Sequence, residues 1–274
     1  MAHKTLVNGT AYEISGGKAL VGGTAYEIGK GKTLVGGTAY EIGFGVKVGD
    51  LAVGSSVFMN VNGVSTEFLV VHQGLPDATL YDASCDGTWL LTKNIPSEYY
   101  FGLVYAEGGG SSAKGNQYEY SSIHSYISGW GFFDLLDGNI QSIIKQVKIP
   151  YHKGYGNDGS VAYGSDGLST KIFLLSGYEV GWNDATSAYF PVDGACLEYF
   201  SGLSDTDSVR IGYYNGTADS WWLRSPNTGD HLKVWCVTPS GGCSRSNYTN
   251  AMGARTALIL PSDTAIDENF NVIA

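Results

Sequence analysis

Residues able to do covalent chemistry are scattered through this chain rather than grouped. The five histidines, His3, His72, His124, His152 and His231, include no pair four apart. The chain therefore lacks the H-E-x-x-H helix of a zinc hydrolase, and it also lacks a G-x-S-x-G nucleophile elbow. His124 has the side chain of a general base, but its neighbours in a helix-like stretch read as core. The four cysteines, Cys85, Cys196, Cys236 and Cys243, make no C-x-x-C pair and no zinc spacing with a histidine. Cys236 and Cys243 could bridge a turn, and free thiols are the expected state for a protein folded in a cytoplasm. Asp158, Asp166, Asp184 and Asp193 sit near glycines in carbonyl-rich loops, as calcium ligands do. No D-x-D-x-D-G run with a closing glutamate accompanies them, so they are expected to be solvated loop acids. The expectation is a protein that is not an enzyme, with no catalytic residue, metal or cofactor.

What remains is non-covalent recognition, and one stretch is suited to it. Trp221, Trp222 and Leu223 form a bulky apolar run closed by Arg224, Ser225 and Pro226, and Ala257–Leu260 reads as a buried strand stopped by Pro261. Between these flanks the residues follow no helical or strand period. Tyr, Trp, Arg and Asn supply large rigid contacts and adaptable hydrogen bonds, the chemistry of evolved binding surfaces. The candidate ligand-binding residues are Asp230, His231, Lys233, Trp235, Cys236, Thr238, Ser244, Arg245, Asn247, Tyr248, Asn250 and Met252. Trp221, Trp222, Arg224 and Arg255 are expected to be scaffold, the two arginines pairing with buried acids or capping loop carbonyls.

The two motifs WWLRSP (221–226) and GARTALILP (253–261) resemble the closing part of a C-type-lectin-like domain common in gut bacteria and their phages. That family usually reads G-V-R-P-A-L in the second motif, where this chain has Ala254 and Thr256. FLLSGYEVGW (173–182) and YFPVDGACLEYF (189–200) extend the likeness, which covers roughly residues 50–262. The group includes variable proteins of diversity-generating retroelements, in which an error-prone reverse transcriptase rewrites adenine positions. The resemblance implies that about 227–252 is a hypervariable region on a fixed scaffold. The Glu-Pro-Asn and Gln-Pro-Asp motifs by which lectins of this fold hold calcium and sugar are absent. The same broad fold includes formylglycine-generating oxidases, which use a cysteine pair near the C-terminus, so that chemistry at Cys236 and Cys243 is the alternative reading. A structural tail or surface protein without a diversified site is another.

Composition limits the remaining classes. With 43% hydrophobic and 13% aromatic residues over 274 positions, the chain can bury a substantial core. Its 39 glycines and 19 tyrosines suggest a turn-rich β protein. A net charge of −10 opposes nucleic-acid binding, which depends on clustered Lys and Arg. The absence of a long apolar run predicts no membrane insertion. The first ten residues lack the apolar core of a signal peptide, so synthesis in the cytoplasm is expected.

The elements that must position the site begin with a 14-residue repeat: KTLVNGTAYEISGG (4–17), KALVGGTAYEIGKG (18–31) and KTLVGGTAYEIGFG (32–45). Asn8-Gly9, Gly22-Gly23 and Gly36-Gly37 suit two-residue turns, so each unit reads as a β-hairpin. Single hairpins are marginal, and several side by side could share an apolar face. Residues 1–47 are thus expected to be an anchoring and oligomerisation module, ahead of a domain spanning 48–274. That domain opens with a hairpin about Asn62-Gly63 and a strand at Thr88–Thr92. A glycine-rich loop at 108–112 precedes helices at 121–127, capped by Ser121, and at 137–147; Lys171–Leu175 is another strand. The fold class is expected to be α+β: a C-type-lectin-like domain of two helices plus antiparallel strands, preceded by the hairpin module. The expected function is display of a hypervariable surface for host recognition from a phage tail or a cell-surface assembly. The expected partners are a protein or glycan receptor on a target cell and, for the repeats, the phage or surface assembly, the chain acting as a homo-oligomer, a trimer.

Overall fold

The computed structural model describes residues 46–102, 115–154, 160–183 and 189–274, and before them the strands of the repeats. The chain divides into two compact units, Met1–Val46 and Lys47–Ala274. In the first, each repeat is a separate antiparallel hairpin: His3–Val7 with Thr10–Ile14, Lys18–Val21 with Thr24–Glu27, and Lys30–Val35 with Thr38–Gly43. The innermost partners are Val7↔Thr10, Val21↔Thr24 and Val35↔Thr38, so the pairing recurs with the sequence period. The turn dipeptides between them lie outside the described residues.

The second unit is built on two five-stranded sheets. Their strands in chain order are β1 (Ser56–Val61), β2 (Val64–Gln73), β3 (Thr88–Thr92), β4 (Glu98–Tyr100), β5 (Ile172–Phe173), β6 (Trp221–Pro226), β7 (Lys233–Val237), β8 (Cys243–Asn247), β9 (Ala251–Gly253) and β10 (Ala257–Leu260). The first sheet has the order β5-β10-β3-β2-β1 and the second β4-β9-β6-β7-β8. Pairing is antiparallel throughout, except where Trp221 meets Gly253 in the β6–β9 contact. β1 and β2 join through Asn62 and Gly63, both at positive φ (52° and 79°), as a two-residue hairpin turn requires. β3 and β10 are buried along their whole lengths, because both are interior strands of the first sheet. Trp89 on β3 is wholly out of water, edge-on to Tyr81 and Phe173 at 5.5 Å each. Its indole donates to the Cys85 carbonyl at 3.0 Å.

The expected α+β, C-type-lectin-like layout is overturned. Among the described residues the α-helices are α1 (Ser122–Ile127) and α2 (Gly138–Ile143), six residues each, and antiparallel sheet dominates. α1 starts where Ser121 accepts from the His124 amide at 3.2 Å, the expected cap. α2 stops at Ile143, short of the expected Val147. Val147–Ile149 instead pairs with Leu168–Thr170, and this long-range ladder outweighs the local isoleucine stripe. Of the expected strand Lys171–Leu175, only Ile172–Phe173 pairs with β10; beyond it the Leu174 amide donates to the Tyr118 hydroxyl at 2.9 Å. No helix among the described residues is long and apolar enough to cross a membrane. The glycine-rich segment 108–112 lies outside the described residues.

Candidate ligand-binding face

β6 is the fixed floor of the candidate site. All six residues from Trp221 to Pro226 are buried, since β6 lies between β7 and β9 in the second sheet. The two tryptophans point to opposite faces and both are core: Trp221 Nε1 donates to the Arg210 carbonyl at 2.9 Å, and Trp222 Nε1 to the Tyr99 carbonyl at 3.1 Å. Arg224 uses every N–H it has. Nε donates to the Pro150 carbonyl, and the terminal nitrogens donate to the Leu174 and Asp193 carbonyls and to both oxygens of Glu179. Glu179 also accepts from the Tyr81 hydroxyl at 2.7 Å and the Ser176 amide at 2.9 Å. Burial works against the charge on Arg224, but the facing Glu179 outweighs it and holds the guanidinium above its ordinary value. Arg255 has no such acid among the described residues. It donates to the Thr92 carbonyl at 2.8 Å and lies 5.1 Å over the Trp221 ring, and burial pushes it down to about 10.

Next to this floor is a carboxyl group in an unusual state. Asp193 is fully buried; its Oδ1 accepts from Ser225 Oγ at 3.0 Å, and its Oδ2 has no partner among the described residues. Burial raises it to about 7, against the pull of Arg224 and Ser225. This is not the environment of a calcium ligand. Asp166 is on an exposed turn, and Asp158 and Asp184 lie outside the described residues. No three His, Cys, Asp or Glu side chains come together as a metal-holding group among the described residues.

The expected binding residues divide into several environments. Lys233↔Asn247 and Trp235↔Arg245 are cross-strand partners, which puts these four on one face of β7–β8. Arg245 is exposed there, and Lys233 and Asn247 are half-buried. Trp235 belongs to the core instead: it is 5% exposed, packs on Phe190 at 4.8 Å and donates to the Tyr189 carbonyl at 3.2 Å. Cys236 is likewise core, at 3% exposure. Both are covered because β7 is flanked by β6 and β8 and has packing on each face.

Register also separates the two cysteines, since Cys236 is opposite Ser244 while Cys243 is opposite Val237. Their side chains leave the sheet on opposite faces, both are free thiols, and burial pushes each up to about 12. Neither environment favours a thiolate. His124 is also committed: it donates Nε2–H to Thr170 Oγ1 at 3.2 Å, because that hydroxyl's own hydrogen goes to the Ile172 carbonyl at 2.7 Å.

The remaining candidates lie in turns. Asp230 accepts from the Leu232 amide at 2.9 Å and, with half-buried His231, shapes the β6–β7 connection. Thr238 Oγ1 accepts from the Gly242 amide at 3.0 Å in the β7–β8 turn. Asn247 Oδ1 accepts from the Thr249 amide at 3.0 Å, opening the connection to β9. Asn250 is exposed there, reaching Ser246 Oγ at 2.9 Å, and Met252 sits opposite Tyr99. Tyr248 is a wedge: an added Cβ on Gly102 or Gly115 would lie 2.9 or 2.8 Å from its ring. Ser244 shares the edge strand β8 with Arg245 but faces the other way.

Two organisers of this face were not legible in the sequence. Fully buried Asn116 donates Nδ2 to the carbonyls of Asn227, Asp230 and Lys233 at 3.0–3.2 Å, gathering the whole β6–β7 connection. The Tyr189 carbonyl holds both the Trp235 indole and the Thr228 amide. Neither carries a motif, and both act on residues about 40 to 120 positions away. No curated protein and no solved structure matches the chain. A family described as a domain of unknown function, DUF6273, matches residues 86–262 and so encloses the floor and the whole candidate face; the chain belongs to that family.

Proposed function

We propose that this chain is a ligand- or receptor-binding protein. It displays a diversified surface drawn from 227–252, and its N-terminal hairpins join it to a phage tail or cell-surface assembly. The observation that carries the reading is the division within one continuous stretch. Residues 221–227 and 253–260 are buried without exception; between them Val234–Val237 of β7 are buried too, but Arg245, Asn250 and Ala251 are exposed and most of the turns are partly so. A scaffold fixed at both ends tolerates exchange between them, because surface substitutions away from caps and cores change stability little. Binding energy would come from a few exposed anchors such as Arg245. Several copies on one assembly would raise effective concentration, which gives the repeats a physical role in a trimer.

The test is to sequence the DNA adjoining the gene, together with sibling genes. A near-copy of the 221–260 coding stretch that differs mainly at adenines, beside a reverse transcriptase, is the expected result. Sibling differences spread evenly over all loops, with no such copy, would sink the diversified reading.

A further inference from the structure

Trp130 stands 64% exposed, yet it is held in one orientation. Its ring meets Tyr126 at 4.6 Å and 82°, and Tyr99 at 5.9 Å and 85°. The two tyrosines stack in parallel on each other at 4.0 Å and 3°. Leaving most of an indole in water forgoes burial free energy, and here two rings orient the indole without covering it. A rigid, solvent-facing aromatic binds with little entropy to lose. Such a ring offers a π face to polarised C–H groups.

Trp130 itself is not part of its wall, but Tyr126, the ring it stands against, and Gly131, its chain neighbour, line a cleft of about 650 Å³. That is within the range of about 300–1,000 Å³ for small-ligand sites. Its polar lining includes Asn62 in the β1–β2 turn, Ser65, Thr66 and Glu67 on β2, and Asn94 and Ser97 between β3 and β4. Glu67 is oriented by Ser56 Oγ and Lys93 Nζ, both on Oε1, which leaves Oε2 without a partner among the described residues. Ser97 Oγ, shut off from solvent, also has no partner among the described residues. Amide, hydroxyl and carboxylate groups beside an exposed indole match a pyranose ring, which has hydroxyls around its rim and an apolar C–H face. The carboxylate in the cleft and the net charge of −10 oppose anionic ligands.

We propose that the Trp130 platform and its cleft form a binding site for a neutral carbohydrate of one or two sugar rings. The site uses none of the residues 227–252 and stands whether or not that stretch is diversified.

The test is affinity electrophoresis of the full chain through gels containing hydroxyethyl cellulose, galactomannan, arabinoxylan or glycogen. Calorimetry with oligosaccharides of whichever polymer retards the protein then gives the affinity. The expected result is retardation by at least one polymer, with Kd weakened about tenfold or more by Trp130→Ala and partly kept by Trp130→Phe. Asn94→Ala weakens binding too, while Tyr163→Ala, which removes an exposed aromatic outside the cleft, is retarded like the parent protein. Trp130 is exposed, so its alanine variant should melt within a few degrees of the parent, which separates lost binding from lost folding. Absence of retardation in all four gels, or equal retardation of Trp130→Ala, overturns the proposal. So does Trp130-dependent attachment to cells whose glycans have been destroyed with periodate, which would make the platform a protein contact.

Discussion

Arg224 and Glu179 form a two-point ion pair, 2.5 and 2.6 Å between nitrogen and oxygen, with both side chains fully out of water. The pair ties β6 to a segment 45 residues earlier, with Tyr81 as a third member. Removing one partner strands a buried charge, whereas removing both leaves an apolar gap. Glu179→Leu should therefore cost about 3–5 kcal/mol, and the double variant Glu179→Leu/Arg224→Met should recover much of that loss. Urea denaturation measures both. A single variant within about 1 kcal/mol of the parent would show that the pair is not what fixes β6.

Asp193 makes stability depend on pH. Its folded value of about 7 lies above the ordinary 3.8, burial being the main cause. Between roughly pH 4 and 7 the native state therefore holds a proton that the unfolded chain releases. The contribution is present at low pH, declines as pH rises through that window, and is flat above it. His72 and His124, lowered from 6.5 chiefly by burial, slope the other way as pH falls. Their effect cancels in a comparison between variants. Asp193→Asn should match the parent near pH 4, exceed it progressively up to about pH 7, and keep a constant advantage at pH 8. Parallel stability curves for the two proteins would refute the buried proton.

Local determinants were legible in the sequence, and long-range ones were not. The Asn62-Gly63 turn and the Ser121 cap are specified within a few residues, and the structure has both. The stripe Ile140, Ile143, Ile144 and Val147 fits a longer helix, but Val147 is claimed by a strand partner 23 positions on, Thr170. That competition has no local sign, and neither does the preference for sheet over the expected two-helix domain. Arg224 and Arg255 were expected to bind acids or carbonyls inside the scaffold, yet the particular partners, Glu179 and Thr92, are 45 and 163 residues away. Trp235 and Cys236, candidate binding residues by sequence, are core because they belong to an interior strand, and alternation along a strand says nothing when both faces are covered. Trp130, set between Gly129 and Gly131, carries a local sign of its own: a bulky ring where the flanking residues provide no cover.

Thiol chemistry tests the β7–β8 register. With Cys236 and Cys243 on opposite faces, mild oxidation of the native protein should not join them, because a disulfide needs Cβ atoms about 4 Å apart and directed at each other. Exposed Cys196 should react first with iodoacetamide, while buried Cys85 and Cys236 should stay unlabelled until the chain unfolds. Unreduced peptide mapping reads both outcomes. A 236–243 disulfide in protein that keeps its native melting temperature would mean that the register is wrong.

Tyr248 and Arg245 lie three positions apart in the same stretch and should respond oppositely to replacement. Arg245 is exposed on the edge strand β8, so Arg245→Ala should change stability by no more than about 0.5 kcal/mol. Tyr248 closes the gap between Gly102 and Gly115, and its carbonyl accepts from the Gly102 amide at 3.0 Å. Tyr248→Ala should cost about 2–4 kcal/mol through the cavity it leaves. Gly115→Ala should also destabilise, since its Cβ would lie 2.8 Å from the Tyr248 ring and 3.0 Å from the His231 carbonyl. A library randomised at both positions and sorted for folding should then accept nearly any residue at 245 but retain aromatic residues at 248. Equal tolerance at the two would show that the 227–252 face carries no internal support at Tyr248. The split outcome would confine diversification to residues that lean on nothing, as a scaffold displaying a changing surface requires.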